Sequence, residues 1–285
     1  MKVLKLTPAL KKKLDRLSEQ IKTLSYVGEE PTSFENSKIV AIVGTRKPTP
    51  YGKLMTERIT EDLARAGVVV ISGLALGVDG IAHSTCLKAG GKTIAVIASG
   101  LNHIGPATNK PIADNIIKSG GTILSEYSHN HQPRKVEFLE RNRIIAAFSD
   151  AVVITEAAGN SGSLNTANHA KSMNIPVFAV PGNVTSPLST GTNHLIKNGA
   201  QAITEGNDVL KHLGITEKNT QLSLDLVGDT PEETIILQKI AHGATSAVDI
   251  QLQTKLSTVD FQTAATMLEV QGKITQDSLG NWRLK

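Results

Sequence analysis

From Lys38 onward the chain alternates between two hydrophobic rhythms. Apolar, β-branched runs occupy 38–43, 68–72, 92–98, 121–125, 151–155 and 176–180, with a weaker one at 201–204. Between them, apolar residues recur at helical spacing over 51–66, 78–89, 110–119, 138–148, 163–173 and 191–198. A strand that is apolar at every position is buried on both faces, and strands that alternate with helices belong to parallel sheets covered on both sides. The pattern predicts an α/β fold: an extended Rossmann-like, mostly parallel sheet with helices on both faces.

The flanks follow other rules. Leu10, Leu14, Leu17, Ile21 and Leu24 predict one amphipathic lead-in helix over 7–25, followed by a turn at Gly28 to Thr32. Beyond residue 213 the sequence is polar and turn-rich, which predicts a linker. Helical patterns then fill 232–241, 247–256 and 258–271, and two short strands flank Leu279-Gly280-Asn281. Three helices and a hairpin are the order of a winged-helix domain, and also of a plain helical cap. The expected organisation is an N-terminal segment 1–30, a Rossmann-like domain 31–212, a linker 213–231 and a small C-terminal winged-helix domain 232–285. The presumed recognition helix from Thr258 to Glu269 holds two acids and no cation, so contact with protein is expected of it in preference to reading DNA.

Composition narrows the setting. The single cysteine, Cys86, excludes an internal disulfide framework and a cysteine-based zinc site. It lies on an apparent helix among apolar neighbours, where a buried structural thiol is expected. No stretch has the length of a membrane span, and the N-terminus lacks a signal-peptide core, so a cytoplasmic protein with no membrane partner is expected. The formal charge of +4 permits a polyanionic partner, and the placement of the cations decides more than their sum.

Several chemical motifs fail on inspection. Gly90-Gly91-Lys92-Thr93 resembles half a phosphate-binding Walker loop, but Cys86 stands where the first glycine belongs and the strand follows the loop. The glycines from Gly73 to Gly80 lack dinucleotide-fingerprint spacing. Ser161 is not in a nucleophile elbow, because Ser163 occupies the last glycine position. His129 and His131 have no metal-ligand spacing, so no metal or cofactor is expected.

What survives is a row of glycine- and hydroxyl-rich loops at strand ends. Gly44-Thr45-Arg46-Lys47 ends the first strand, and Ser72-Gly73 to Asp79 ends the second, ahead of a helix that carries His83. Ser99 to His103, Ala158 to Ser163 through Gly162, and Pro181-Gly182-Asn183 with Ser189 to Asn193 follow. Parallel strands share one carboxyl edge, so these loops converge there, and N–H groups and hydroxyls at helix starts suit phosphate. Arg134, Lys135, Arg141 and Arg143 flank Phe138, a combination that suits phosphate contacts beside a stacked base. The alternative is pairing of Arg141 and Arg143 with Glu137, Glu140 or Glu126, with Phe138 in the core.

These motifs resemble those of the DprA/Smf DNA-processing family. The resemblance rests on Gly44-Thr45-Arg46, Ser72 to His83, Ser99-Gly100-Leu101, Arg141-Asn142-Arg143, Gly162-Ser163, Phe178 to Gly182 and Gly191 to Ala200, and spans about residues 38–210. It implies a single-stranded-DNA-binding homodimer, without established catalysis, that protects incoming DNA and loads the RecA recombinase onto it in natural transformation. Arg46 would contact backbone phosphate, the Gly162-Ser163 and Gly73–Asp79 loops would complete the pocket, and Phe138, Arg141 and Arg143 would line the DNA path. The chain departs from the family pattern at Leu76, Leu139 and Gly105, and its N-terminal region is too short for the helical domain many relatives carry. An enzymatic alternative is a nucleotide hydrolase of the lysine-decarboxylase-like group, with Glu126 or Glu156 as base.

Overall fold

The structure is a computed structural model that describes residues 2–215, 228–241, 244, 246–254, 256–276 and 280–284. The chain divides into two compact units, Met1–Thr216 and Glu217–Lys285. In the first, the strands are β1 (Lys2–Val3), β2 (Ser25–Gly28), β3 (Ile39–Val43), β4 (Val69–Ser72), β5 (Thr93–Val96), β6 (Thr122–Ser125), β7 (Ala151–Ile154), β8 (Val177–Ala179) and β9 (Gln201–Ala202). The helices are α1 (Pro8–Leu14), α2 (Pro50–Arg65), α3 (Val78–Lys88), α4 (Lys110–Lys118), α5 (Glu137–Phe148), α6 (Ser163–Ser172), α7 (Thr190–Lys197) and α8 (Gly206–His212).

One nine-stranded sheet runs β1-β2-β6-β5-β4-β3-β7-β8-β9. β3 through β9 are parallel to their neighbours, whereas β2 and β1 add antiparallel at one edge. β3 shows why its sequence lacks polar positions. Ile39, Ala41 and Val43 pack into one core with residues of α1, α5, α6 and α7, while Val40 and Ile42 pack into another with α2, α3 and α8. Each buried aliphatic side chain contributes about 1.5–3 kcal/mol, so such a strand is stable only at the centre of a two-sided layer.

The chain order creates a switch point. From β3 it winds outward through β4, β5 and β6, then crosses to β7 on the other side of β3 and continues to β8 and β9. The crevice between the carboxyl ends of β3 and β7 is where ligands of open α/β sheets bind.

The N-terminal region corrects the expected lead-in helix over 7–25. α1 ends at Leu14, and the chain then turns and pairs β2 with β6 over Ser25↔Ser125 to Gly28↔Thr122. Leu17 and Leu24 are buried in the sheet's core, so their spacing reflected burial and not a continuous helix. Lys13 Nζ reaches Phe148 O at 2.9 Å and Asp150, tying α1 to the end of α5.

The second unit contains α9 (Pro231–Ala241), α10 (Ala247–Thr254), α11 (Thr258–Val270) and an antiparallel pair, β10 (Ile274–Gln276) and β11 (Trp282–Leu284). Its core joins Ile236, Leu237, Ile250, Phe261, Leu268, Ile274 and Trp282. The Ser257 hydroxyl caps α11 by accepting from Asp260 N. Most of the expected linker, residues 216–227, and the turn at 277–279 lie outside the described residues.

Candidate nucleic-acid interface

At the switch point lies a cavity of about 250 Å³ that brings together Gly44 and Arg46 after β3, Asp79 of α3, Phe138, Arg141 and Asn142 of α5, and Gly162 and Ser163 at the start of α6. Eight expected site residues therefore share one cavity. Ala75, Leu139, Ser161 and Thr166 also line it. Leu139 stood out in the sequence only as a departure from the family pattern within a helical segment and Ser161 only as a loop residue, while Ala75 and Thr166 fall within the motifs that carry the resemblance but were not singled out as site residues. A second, apolar recess adjoins it, walled by Leu76, Ile97, Pro106 and Pro133 and sharing Arg46, Phe138 and Arg141.

Arg46 is exposed, and its guanidinium sits 5.5 Å from the centroid of the half-buried Phe138 ring. That is cation–π distance, which orients the side chain along the cavity rim without removing its charge from solvent. The loop that carries it is pinned at both sides. Thr45 N–H donates to Glu156 O at 2.8 Å, and Val78 N–H donates to Thr45 O at 3.1 Å. Gly77 has φ +76°, and a Cβ there would lie 2.4 Å from Thr45 O. Glycine at 77 thus lets the second strand-end loop press against the first.

Arg141 belongs to the floor of the cavity. It is 3 % exposed, and its guanidinium donates to Gly73 O at 2.7 Å and to Val96 O. Asp79 faces it across Gly73 and accepts from Gly73 N at 3.1 Å. A Cβ on Gly73 would lie 2.5 Å from Arg141 Nη2 and 2.7 Å from Asp79 Oδ2, so only glycine fits between them. Burial lowers the Arg141 pKa to about 10 against the attraction of Asp79, and burial raises that of Asp79. For both partners desolvation outweighs the pairing. The nearby positive charge of Arg46 depresses Arg141 further.

The other expected residues have structural partners. Arg143 pairs with Glu126, as the alternative reading of the cations allowed. At 15 % side-chain exposure it is directed away from the cavity, since neighbours two apart on a helix face different ways. Asn142 Nδ2 donates to Gly162 O at 3.2 Å and so holds the loop before α6. Thr45 Oγ1 accepts from Lys47 N, and the Lys47 side chain is exposed outside the cavity. Ser72 Oγ donates to Ile42 O at 2.7 Å inside the core. Asn193 brackets Gly182, accepting from its N–H and donating to its carbonyl.

The carboxylates considered as bases are also engaged. Glu156 accepts from Thr49 N at 2.8 Å and Thr49 Oγ1 at 2.6 Å, fixing the residue that caps α2, and Glu126 is held by Arg143. Cys86 is buried and its pKa is pushed up to about 12 by desolvation, the behaviour of a structural thiol. His83 is buried, its Nδ1 2.7 Å from Thr93 Oγ1, and desolvation lowers its pKa to about 3, so it stays neutral.

Glu137 organises the entry to α5. Its buried carboxylate accepts from Arg134 N at 2.7 Å, Arg134 Nε at 2.8 Å and His131 Nε2 at 2.8 Å. Burial opposes ionisation, but these donors overcome it and hold the carboxyl down at about 2. A folded-state pKa below the unfolded value stabilises the protein fully above the unfolded value and loses that contribution as pH falls through the folded one. Denaturant midpoints of wild type and Glu137→Gln are therefore expected to differ most above about pH 5 and to converge as pH falls toward 2. A gap that is constant over this range removes the role assigned to the ionised carboxylate.

The fold and this cavity define a class: a Rossmann-like α/β protein with two guanidinium groups and a helix start gathered at the switch point. Residues 4–214 match the family of DNA recombination-mediator protein A, and the chain belongs to that family, DprA/Smf. The DNA processing protein DprA of Bacillus subtilis is 41% identical over 190 residues, 67% of this chain and 63% of that protein. The Smf protein of Escherichia coli is 39% identical over 195 residues, 68% of this chain and 50% of that protein. The match thus spans between half and two thirds of these relatives' own length. A solved DprA from Helicobacter pylori, described for its single-stranded-DNA binding mode, is 37% identical with a TM-score of 0.67, covering 74% of this chain and 94% of that one. The X-ray structure of Streptococcus pneumoniae DprA is 39% identical with a TM-score of 0.65, covering 70% and 69%.

Proposed function

We propose that this protein binds single-stranded DNA, protects it as it enters the cell and loads the RecA recombinase onto it during natural transformation, acting as a cytoplasmic homodimer. The observation that carries the reading is the exposed guanidinium of Arg46 at the rim of the switch-point cavity, where Arg141 and Asp79 already match one another in the floor. An anionic group at the rim pairs with Arg46, which has no carboxylate partner among the described residues. A phosphate fits this description. A nucleotide unit is favoured over a free phosphate because the cavity continues into the apolar recess past Phe138, where a base attached to that phosphate can lie.

Family membership supports the same reading, as does the single-stranded-DNA binding described for the Helicobacter pylori relative. Among the described residues no helix is long and apolar enough to cross a membrane. The C-terminal unit is proposed to be a winged-helix domain that works by protein contact, because α11 exposes Val259, Met267 and Val270 with Asp260 and no cation. A gel-shift comparison of single-stranded with duplex DNA, with and without RecA, tests the proposal. Preferential retention of the single strand and recruitment of RecA to it are expected. Equal retention of duplex refutes the single-strand reading, and a filament rate unchanged by the protein refutes loading.

A further inference from the structure

The wall of the switch-point cavity holds a polar group that the fold leaves over. Thr166 of α6 lines the cavity and is 1 % exposed, and its hydroxyl has no hydrogen-bond partner among the described residues. Buried hydroxyls are normally paired, so an enclosed and unpaired one beside a cavity marks a place for a polar ligand.

The surrounding bonds explain why it is unpaired. A threonine hydroxyl inside a helix ordinarily bonds the carbonyl one turn back. For Thr166 that carbonyl is Gly162 O, which accepts from Asn142 Nδ2 and from Asn165 N, each at 3.2 Å. A carbonyl oxygen has two lone pairs, and both are in use. Other polar groups of the lining are matched to one another. Ser161 Oγ and Ser163 Oγ lie 2.8 Å apart, and Asp79 accepts from Gly73 N–H opposite Arg141. Arg46 brings charge to the rim of this cavity, and Thr166 brings a neutral donor to its wall.

We propose, on the single-stranded-DNA reading of this cavity, that the Thr166 hydroxyl donates to a non-bridging phosphate oxygen of the strand and is a binding residue alongside Arg46. A phosphodiester carries two such oxygens, so one can face the guanidinium while the other faces the hydroxyl. The unpaired hydroxyl is then satisfied only in the complex, and the interaction belongs to the bound state alone.

The test titrates the full chain with oligothymidine by fluorescence anisotropy at several salt concentrations. Thr166→Val replaces the hydroxyl with a methyl group and is expected to bind about 3- to 10-fold more weakly, the loss of one neutral hydrogen bond. The slope of log affinity against log salt stays as in the wild type, because that slope counts neutralised phosphates and no charge is removed. The melting temperature of the free variant is expected to equal or exceed that of the wild type, since no bond within the protein is lost. Thr166→Ser keeps the hydroxyl and binds as the wild type does. Strands of uniformly Rp or uniformly Sp phosphorothioate place the poorer acceptor, sulfur, on one oxygen or the other, so the wild type is expected to prefer one form and Thr166→Val to lose that preference. Thr166→Ala also removes the hydroxyl and carries the test if Thr166→Val does not fold. Unchanged affinity of the hydroxyl-free variants overturns the role of Thr166 and leaves the phosphate at Arg46 standing. A flattened salt slope, a lowered melting temperature, or a phosphorothioate preference that persists without the hydroxyl overturns it as well. Failure of the wild type to bind the strand overturns the single-strand reading itself.

Discussion

Replacing Arg46 with alanine is expected to weaken single-stranded-DNA binding about 10- to 100-fold whatever the base sequence, the loss of one charge-assisted phosphate contact. Its guanidinium is exposed at the cavity rim and stacked on Phe138, so its removal deletes a phosphate contact and leaves the ring free to turn. Each phosphate neutralised on a single strand adds about 0.7 to the slope of log affinity against log salt, so the slope flattens by about that amount. Arg46→Lys separates the two contributions: it keeps the charge and hence most of the slope, but loses the planar fork and the stacking. Stability is expected to change by less than about 0.5 kcal/mol, because the side chain is exposed and engages no buried partner. Salt-dependent titrations of both variants decide the matter, and an unchanged affinity and slope for Arg46→Ala removes the phosphate from this cavity.

Arg141 is expected to behave in the opposite way. Arg141→Met leaves Asp79 buried without its counter-charge and takes the donor away from Gly73 O and Val96 O. Breaking a buried pair from one side costs about 3–5 kcal/mol, which for a domain of this size lowers the melting temperature on the order of 10 °C. The cost arises from the carboxylate left behind, so adding Asp79→Asn to Arg141→Met is expected to recover part of it. A double-mutant cycle by urea unfolding reads the coupling directly. Additive losses mean that the two residues act independently and that the floor of the cavity is not built on their pairing.

The contrast between these two arginines measures what was legible in the sequence. Both stand in polar-looking motifs beside aromatic or glycine residues, and both read as phosphate contacts. Local pattern reports which residue types lie near a strand end, but not which are enclosed once helices close over the sheet. Arg141 meets Gly73 across 68 residues of sequence, whereas Arg143 meets Glu126 across only 17, a pairing the sequence offered as one alternative. Glu156 reaches Thr49 across 107. Pairings at such separations are set by the order of strands, and no short window contains them. The N-terminal strands failed for a related reason. β2 has only Ser25, Tyr26, Val27 and Gly28 with which to announce itself, and it exists because β6 offers it an edge.

By itself the sequence determined the alternation of doubly buried strands with helices, hence the parallel sheet, and the line of glycine and hydroxyl loops along one edge. Those properties follow from residue-by-residue hydrophobicity and backbone freedom, which are local. Only the tertiary structure decided that Arg46 stays in solvent while Arg141 becomes a buried strut. It also decided that Arg143, Asn142 and Asn193 hold loops in place, and that Glu156 fixes the residue from which α2 starts. Those outcomes depend on desolvation and on partners brought together by the crossover from β6 to β7, and burial of a charge is a property of the packed molecule.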